Sequence, residues 1–285
     1  MIYIKGMHGL GDNIYQRGFI KHFKEEVYLE TPWPQIYQGL DHIKFVKPIT
    51  KLRTQSKNIN KEDPNIKWVT IDPEKADRKI KPFYGGVVKF RGIIGEMQKC
   101  FDIKPNGFDL PDFRSEFPWI QELGEFALIR PATERKEWLN AARNPKPEYI
   151  AQSADILKSQ GIKIVSIADI KPNEEWLVGK EPYSDVKFHS GELNVKELLA
   201  LLQSAKYTIG GVGWIVPASL CYGNKAWIIL GVHGFYNSPE VIMYRQPNKV
   251  AFATPNKYCL CKNMRHDCNK EIKNYEEKFT AWLRR

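Results

Sequence analysis

The glycine-rich run that ends at Asp12 contains residue types that could bind a phosphate and accept a proton. Residues 6–12 read GMHGLGD and lie between a short apolar segment and a run compatible with a helix. Glycine lets backbone N–H groups approach a ligand closely, and a helix N-terminus carries a partial positive charge that favours anions. We therefore predict that Gly9 and Gly11 contact a phosphorylated donor. Asp12 has two interpretations: it caps the helix, or its carboxylate takes a proton from a substrate hydroxyl.

A second group of polar residues follows the apolar segment at residues 126–129. Arg130, Thr133 and Lys136 lie in the run RPATERKEW. Cationic side chains form charge-assisted hydrogen bonds with phosphate, and ligands of doubly wound sheets bind at the carboxyl ends of strands. These three residues are candidate contacts for a diphosphate. The alternative is a basic loop that binds no ligand.

A third candidate lies where the strand-like segment YTIG leads into GVGW. Gly210, Gly211 and Gly213 predict a tight turn whose backbone can touch a nucleotide or a sugar. Trp214 has two interpretations, because an indole ring can stack on a ligand or fill the core. A single glycine turn is weak evidence, but three such turns at strand ends indicate one ligand-binding region.

Cys259, Cys261, His266 and Cys268 form a cysteine-rich run near the C-terminus. Three thiols and an imidazole can supply four zinc ligands, although zinc fingers usually have two residues between paired cysteines. The alternatives are a disulfide and thiols without metal, and the unusual spacing favours the thiols. The chain has 5 cysteines, an odd number that is typical of a reducing cytoplasm.

The charge distribution indicates a polyanionic partner. Lys and Arg number 43 against 33 Asp and Glu, a net charge of +10, and residues 44–61 contain six bases and no acid. Nucleic acid, a phosphorylated glycan and an anionic lipid surface are possible partners, and a solvated lysine-rich surface is the alternative. The candidate acceptor-binding residues are Lys51, Arg53, Lys57 and Arg91.

These residues require a scaffold that places strand ends side by side. Short apolar segments alternate with helix-compatible runs, a pattern that predicts parallel sheets covered by helices. The clearest helices span residues 147–160 and 195–205. In the first half, the strand-like segments are residues 2–6, 27–31, 43–48, 67–73 and 85–90. We expect an α/β protein with two Rossmann-like, doubly wound domains that face a cleft.

The chain length sets the domain organisation that we expect. A chain of 285 residues fits two domains, which we place at residues 1–124 and 125–271. Residues 272–285 form a final helix that we expect to pack back on the first domain. No run of about 18 apolar residues is present, and the N-terminus lacks the apolar stretch of a signal peptide. A cytoplasmic location follows as an expectation.

The order of the motifs resembles the heptosyltransferase family, which comprises glycosyltransferases of GT-B fold. The N-terminal run GLGDNIYQRGFIKHFKE, the run LIRPATERKEWLN and the segment between residues 192 and 231 each resemble a segment of that family in the same order. The run CLCKNMRHDC is similar to the family's cysteine-containing C-terminal end. The resemblance therefore covers nearly the whole chain.

The resemblance implies a function and a role for several residues. Asp12 becomes the general base, Thr133 and Lys136 contact the donor phosphates, and residues 211–214 line the nucleotide-sugar pocket. The implied reaction is metal-independent, direct displacement of a nucleotide by an acceptor hydroxyl. Where the family has Asp-Thr-Gly followed by His, this chain has Gly-Val-Gly followed by Trp214. This departure leaves an inactive nucleotide- or nucleic-acid-binding module as an alternative.

Two acceptors fit the basic first half of the chain. A hydroxymethylated base in DNA is our main expectation, because the chain is short and its nucleotide segment departs from the family pattern. The alternative is a phosphorylated lipopolysaccharide core, as the resemblance implies. A DNA acceptor predicts duplex binding that depends steeply on salt, whereas a lipid-linked acceptor predicts little duplex affinity.

Overall fold

The computed structural model describes residues 1–61, 63–85, 88–243 and 249–285. The chain divides into two compact units, Met1–Asp112 and Phe113–Arg285. The boundary therefore lies before the expected one at residue 124. Phe113 is fully buried, and Lys196 Nζ lies 3.2 Å from a carboxylate oxygen of Glu116. These contacts fix the segment after Asp112 to the second unit.

The first unit contains one parallel sheet in its described residues. Its strands are β1 (Ile2–Lys5), β2 (Val27–Glu30), β3 (Ile43–Val46), β4 (Trp68–Val69) and β5 (Arg78–Ile80). Its α-helices are α1 (Leu10–Ile20), α2 (Arg53–Asn60) and α3 (Val88–Phe101). The strand order is β4-β3-β2-β1-β5. Strands β2, β3 and β4 are added on one side of β1, and the chain then crosses back to place β5 on the other side. This reversal makes the sheet doubly wound.

The core of the first unit forms where α1 and α3 cover the sheet. Ile4, Phe19 and Phe101 are each fully buried, and the two phenylalanine rings stack with centroids 5.1 Å apart. Nearly every residue of α1 is buried, and α3 is kinked at Gly92, where φ is 67°. The packing holds the N-terminus of α1 at the carboxyl end of β1.

One expected strand in the first unit is wrong. Residues 85–90 were expected to form a strand, but α3 begins at Val88, and the edge strand next to β1 is β5. Residues 86 and 87 of the expected strand lie outside the described residues. A short apolar run has no period that separates strand from helix, and β5 begins with two exposed cations, Arg78 and Lys79, that conceal it.

The second unit is built on a six-stranded parallel sheet. The strands of this sheet are β6 (Phe126–Arg130), β8 (Lys163–Ile167), β10 (Val186–Phe188), β11 (Tyr207–Gly210), β12 (Ala226–Ile229) and β13 (Val250–Ala253). Strands β7 (Thr133–Arg135) and β9 (Glu175–Leu177) form a separate antiparallel pair. The order β10-β8-β6-β11-β12-β13 is the strand order of a Rossmann fold, with β6 as its first strand.

Local sequence signals account for the helices of the second unit. They are α4 (Pro147–Ser159), α5 (Val195–Ser204), α6 (Ile215–Tyr222), α7 (Gly234–Asn237), α8 (Pro239–Ile242) and α9 (Tyr275–Leu283). The expected helices at residues 147–160 and 195–205 are confirmed. Asn194 and Glu197 form a capping box that starts α5, and Gly161 takes a φ of 76° just after α4. In the described residues of both units, no helix has the length and apolarity needed to cross a membrane.

Helix α9 packs against the core of the second unit, and its expected packing on the first domain stays a prediction. Its residues Tyr275, Phe279 and Trp282 are buried in the same core as Trp227 of β12. The Trp227 ring centroid lies 5.6 Å from that of Phe279 and 5.3 Å from that of Trp282. The aromatic face of α9 therefore buries a large apolar area against other rings of the second unit.

Candidate functional site

The second unit brings two sequence-predicted groups together at the point where its sheet reverses. Arg130 ends β6, and it pairs in register with Gly210, which ends β11. A Cβ atom added at Gly213 would lie 3.2 Å from Nη1 of Arg130, so the absence of a side chain there leaves room for the guanidinium. Ligands of doubly wound sheets bind at such a reversal point.

Three arginines, which we call the arginine cluster, surround this point. They are Arg130, Arg135 and Arg143. Burial lowers the pKa of Arg130 to about 10; the nearby Glu175 carboxylate raises it, and the charges of Arg143 and Arg135 lower it further. The guanidinium carbons of Arg135 and Arg143 lie 5.4 and 5.3 Å from the ring centroid of Trp138. An anionic ligand would offset the repulsion between cations whose charges act on one another in this way.

Thr133 and Lys136 lie beside the arginine cluster in a different conformation from the one expected. The expected loop contains strand β7, which pairs with β9. The Thr133 hydroxyl donates a hydrogen bond of 3.0 Å to Glu175. It therefore orients the carboxylate whose negative charge raises the pKa of Arg130. Lys136 has an exposed side chain, and its backbone N–H donates to the Glu174 carbonyl at 2.8 Å.

Gly211 and Trp214 complete the turn after β11. A Cβ atom added at Gly211 would lie 3.1 Å from Cδ of Pro145, so the turn packs closely against the chain just after Arg143. Trp214 immediately precedes α6, and its side chain is half-buried. The backbone N–H groups of the first turn of α6 therefore begin beside Arg130.

Several residues of this site were not among those predicted from the sequence. Arg143 and Glu175 are distant in sequence from Arg130, and neither lies in a recognisable motif. Gly231 also matters, because an added Cβ atom would lie 2.7 Å from the Ala142 carbonyl oxygen and no farther from those of Arg143 and Asn144. The glycine after the strand-like run KAWIIL was the signal that could have identified this close backbone approach.

Asp12 lies at the corresponding reversal point of the first unit. Gly9 is the N-cap of α1 and Asp12 is the third helical residue, so the N-cap interpretation of Asp12 is wrong. Its carboxylate reaches back over Gly9, and Oδ1 accepts a hydrogen bond of 2.8 Å from the Tyr84 hydroxyl. Tyr84 follows β5, the strand on the other side of the reversal. The sequence contained no motif that identifies this tyrosine.

The glycine turn before Asp12 is held from inside the protein. Asn13 is fully buried, and its side-chain amide donates to the carbonyls of Met7 at 2.5 Å and Gly9 at 2.8 Å. The Asn13 side-chain oxygen accepts a hydrogen bond of 2.7 Å from Thr31. The Trp33 indole N–H donates to the His8 carbonyl at 2.8 Å. The turn therefore keeps one conformation, with the Gly11 N–H in the first turn of α1.

The candidate acceptor-binding residues lie on separate elements of the first unit. Lys51 precedes α2, and Arg53 and Lys57 lie one turn apart on this helix. Buried Asn58 anchors α2, because its amide donates to the Pro32 carbonyl at 2.6 Å. Arg91 lies on α3, with Nε 3.8 Å from a Glu96 carboxylate oxygen. The basic stretch is thus partly helical, and Arg91 belongs to another part of the unit.

The cysteine-rich run folds into a compact group that we call the cysteine cluster. Its members are Cys259, Cys261, His266 and Cys268, and their potential ligand atoms all lie within 4.8 Å of one another. Nδ1 of His266 is 2.9 Å from Sγ of Cys268 and 3.7 Å from Sγ of Cys259. Four sulfur and nitrogen atoms at these separations can surround one metal ion.

Comparisons with known proteins reveal similarity of structure. No family model and no curated protein sequence matches the chain. The glycosyltransferase TibC from enterotoxigenic E. coli H10407 aligns with a TM-score of 0.61 at 15% identity, over 99% of this chain and 71% of TibC. The E. coli ADP-heptose LPS heptosyltransferase II aligns with a TM-score of 0.55 at 10% identity, over 99% of this chain and 98% of that one. The fold is that of the heptosyltransferases.

The heptosyltransferase fold confirms the expected class of two Rossmann-like domains of GT-B type. A family 9 glycosyl transferase from Veillonella parvula DSM 2008 also has this fold, with a TM-score of 0.58 at 11% identity over 99% of this chain and 96% of that one. TibC is described as iron-containing and has been solved with ADP-D-beta-D-heptose. These similarities show a shared fold and give no support to a DNA acceptor.

Proposed function

We propose that this protein transfers a sugar from a nucleotide-sugar to a hydroxyl group of a phosphorylated saccharide of the lipopolysaccharide-core type. The observation that carries this proposal is the arginine cluster at the reversal point of a Rossmann sheet, next to the glycine turn at residues 210–213. Several proteins that share the fold are heptosyltransferases, which supports the reaction class. The nucleotide-sugar is a co-substrate in this proposal.

The arginine cluster supplies the donor half of the reaction. Arg130 is held beside the backbone of the glycine turn, where a diphosphate can accept hydrogen bonds from the guanidinium and from N–H groups. As the bond between the sugar and the diphosphate breaks, negative charge grows on the leaving oxygen. Cations that are already in place stabilise this charge without reorganisation, an effect worth about a hundredfold to a thousandfold in rate for one donor.

Asp12 supplies the proton-accepting half. In the proposed step, its carboxylate takes the proton of the acceptor hydroxyl while that oxygen attacks the anomeric carbon and the nucleoside diphosphate departs with the bonding electrons. Tyr84 donates to Oδ1 of Asp12 and therefore orients the carboxylate for this transfer. A single displacement of this kind inverts the configuration at the anomeric carbon.

The basic residues of the first unit are the proposed acceptor contacts. Lys51 and Lys57 are exposed at α2, and Arg53 lies between them. Phosphate groups on a saccharide core supply the negative charge that these cations attract. DNA carries the same charge, so the structural similarity to lipopolysaccharide glycosyltransferases is what favours the saccharide.

The decisive experiment measures transfer and nucleotide binding in parallel. Purified protein is incubated with ADP-heptose or other nucleotide-sugars, and with either a lipopolysaccharide core or hydroxymethylcytosine DNA, and products are identified by mass spectrometry. We expect glycosylated core with the wild type and none with Asp12→Asn, while both bind ADP. Glycosylated DNA would overturn the acceptor assignment. Nucleotide binding without turnover on any acceptor would instead support the inactive module.

A further inference from the structure

We propose that the cysteine cluster binds one transition-metal ion, zinc or iron, and that this ion holds residues 259–268 in the conformation that contacts the loops carrying the arginine cluster. Around a tetrahedral ion with metal–sulfur bonds of about 2.3 Å, the sulfur atoms lie about 3.8 Å apart. The four candidate ligand atoms are within 4.8 Å of one another, so a small contraction completes the coordination.

The donor set fits a metal of this class. Thiolate and imidazole ligands suit tetrahedral zinc and iron, whereas calcium and magnesium require oxygen ligands. Backbone N–H groups also point at the sulfurs: His233 N–H donates to Cys261 Sγ at 3.2 Å, and Cys261 N–H donates to Cys259 Sγ at 3.3 Å. Such hydrogen bonds stabilise negative charge on metal-bound sulfur and orient the ligands.

The segment between the ligands contacts the chain that follows β7. The Met264 carbonyl accepts a hydrogen bond of 2.7 Å from Ala142 N–H, and its sulfur lies 3.1 Å from the Trp138 indole nitrogen. Trp138 is the ring that Arg135 and Arg143 both contact. Residues of the cysteine-rich segment therefore support the side chain on which two members of the arginine cluster rest.

The same segment contacts the loop after β12. Gly234 N–H donates to the Cys259 carbonyl at 3.0 Å, next to the His233–Cys261 contact. Val232 N–H of this loop donates to the Ala142 carbonyl at 2.8 Å, which joins it to the chain after β7. The cysteine cluster thus lies where two loops from the carboxyl edge of the sheet meet.

Hydrogen bonds hold this segment to its neighbours, but apolar burial contributes little. Leu260 is 62% exposed and Met264 is 40% exposed, so the segment buries little apolar surface. Ordering a residue costs about 1–2 kcal/mol of conformational entropy, which burial normally offsets. A bound metal supplies that free energy, because metal-binding energy in a small site is also folding energy.

The test compares metal content, spectrum and nucleotide affinity in the full-length chain. We expect about one zinc or iron per chain by elemental analysis, the metal found identifying the natural ion, and thiolate-to-metal charge-transfer absorption after cobalt(II) replacement. Cys259→Ser and Cys268→Ser are expected to lose both signals. Cys100→Ser, a thiol of α3, is the matched control and is expected to keep them.

The link to the donor site rests on the proposed function and has its own readout, the affinity for ADP and UDP. We expect metal removal by a chelator, and each of the two cluster variants, to weaken nucleotide binding about tenfold or more. Because the chelator acts on unmutated protein, misfolding of a variant does not decide the result. Wild type that binds ADP but none of zinc, iron and cobalt overturns the metal site. Unchanged ADP affinity after metal loss overturns the link, and metal binding without nucleotide binding overturns the proposed function alone.

Discussion

At the scale of single residues, two side chains carry the proposed chemistry, one in each unit. Asp12 is oriented by Tyr84, and Arg130 is held beside a glycine turn. Asp12 follows the first strand of its sheet and Arg130 ends the first strand of the other sheet, in each case where the strand order reverses. Their roles differ, because a carboxylate accepts a proton and a guanidinium neutralises a phosphate.

Replacing Asp12 tests the general base. We expect Asp12→Asn to lower kcat/KM for transfer by about a hundredfold to ten-thousandfold, since the amide cannot accept the proton. ADP affinity, measured by calorimetry, is expected to stay within twofold of wild type. Asp41→Asn, which changes an exposed carboxylate of the same unit, is the control. A loss of ADP binding in Asp12→Asn would assign the residue to the donor site instead.

Replacing Arg130 tests the donor site. Its Nη1 lies 3.2 Å from the position that a Cβ atom at Gly213 would take, beside the glycine turn. A guanidinium donates charge-assisted hydrogen bonds to phosphate, so Arg130→Gln is expected to weaken ADP binding about tenfold or more. Calorimetry measures the affinity, and Arg284→Gln, which changes an exposed arginine of the second unit, is the control. Equal ADP affinity in Arg130→Gln and wild type would place the diphosphate elsewhere.

At the scale of elements, close backbone packing and one ion pair position the sites. The loop after β12 touches the chain after β7 at Gly231, where there is no room for a side chain. In the first unit, Asp109 holds α1, accepting hydrogen bonds from Arg17 at 3.0 Å and Lys21 at 2.6 Å. These contacts join segments that are far apart in sequence.

Adding one methyl group tests the packing at the loop after β12. Gly231→Ala is expected to destabilise the protein by about 1–3 kcal/mol, because the new Cβ atom forces three carbonyl oxygens apart. Thermal unfolding measures the loss. Gly107→Ala is the matched control, since an added Cβ atom there meets nothing within 4 Å. Equal melting temperatures for the two variants would contradict the close approach.

The ion pair of α1 predicts a dependence of stability on pH. Desolvation raises the pKa of Asp109, but hydrogen bonds and charges from Lys21 and Arg17 outweigh it, and the pKa is lowered overall. A carboxyl group whose pKa is lowered by folding stabilises the folded state at pH values above its ordinary pKa. This contribution is lost as the pH falls through the lowered pKa. We therefore expect wild type to exceed Asp109→Asn in stability at pH 7, with a gap that closes below about pH 4. Asp155→Asn, an exposed carboxylate on α4, is expected to show no such gap in urea unfolding.

At the scale of the whole molecule, the net charge of +10 is the reason for proposing an anionic acceptor. Long-range attraction depends on total charge, whereas recognition depends on cations placed near the acceptor. Lys51 and Lys57 are the exposed cations that we assign to this role.

A charge-matched pair of variants separates these two effects. Lys51→Gln with Lys57→Gln is expected to weaken binding of a phosphorylated saccharide and to reduce its salt dependence. ADP affinity is expected to stay unchanged. Lys273→Gln with Lys278→Gln removes the same charge from exposed positions of the second unit. If both double variants weaken acceptor binding equally in a titration across salt concentrations, net charge alone explains the attraction.

Local signals in the sequence were sufficient for many of the elements. The capping residues of α5 and Gly161 after α4 mark helix ends through contacts within a few residues. The glycine turns at residues 6–12 and 210–213 follow strands, as expected. The strand expected at residues 85–90 is wrong because a short apolar segment fits a strand and a helix almost equally well. Contacts elsewhere in the unit decide between the two.

The sequence by itself determined that this is a parallel α/β protein with glycine turns and cationic residues at strand ends, because hydrophobic period, glycine and capping residues act over a few neighbours. Only the tertiary structure decided that Tyr84 contacts Asp12 and that Arg143 and Glu175 lie near Arg130. It also decided that α9 packs in the core of the second unit. The partners of Asp12 and Arg130 lie between 13 and 72 residues away in the chain. Strand order brings them together, and strand order is set by the packing of whole sheets and helices.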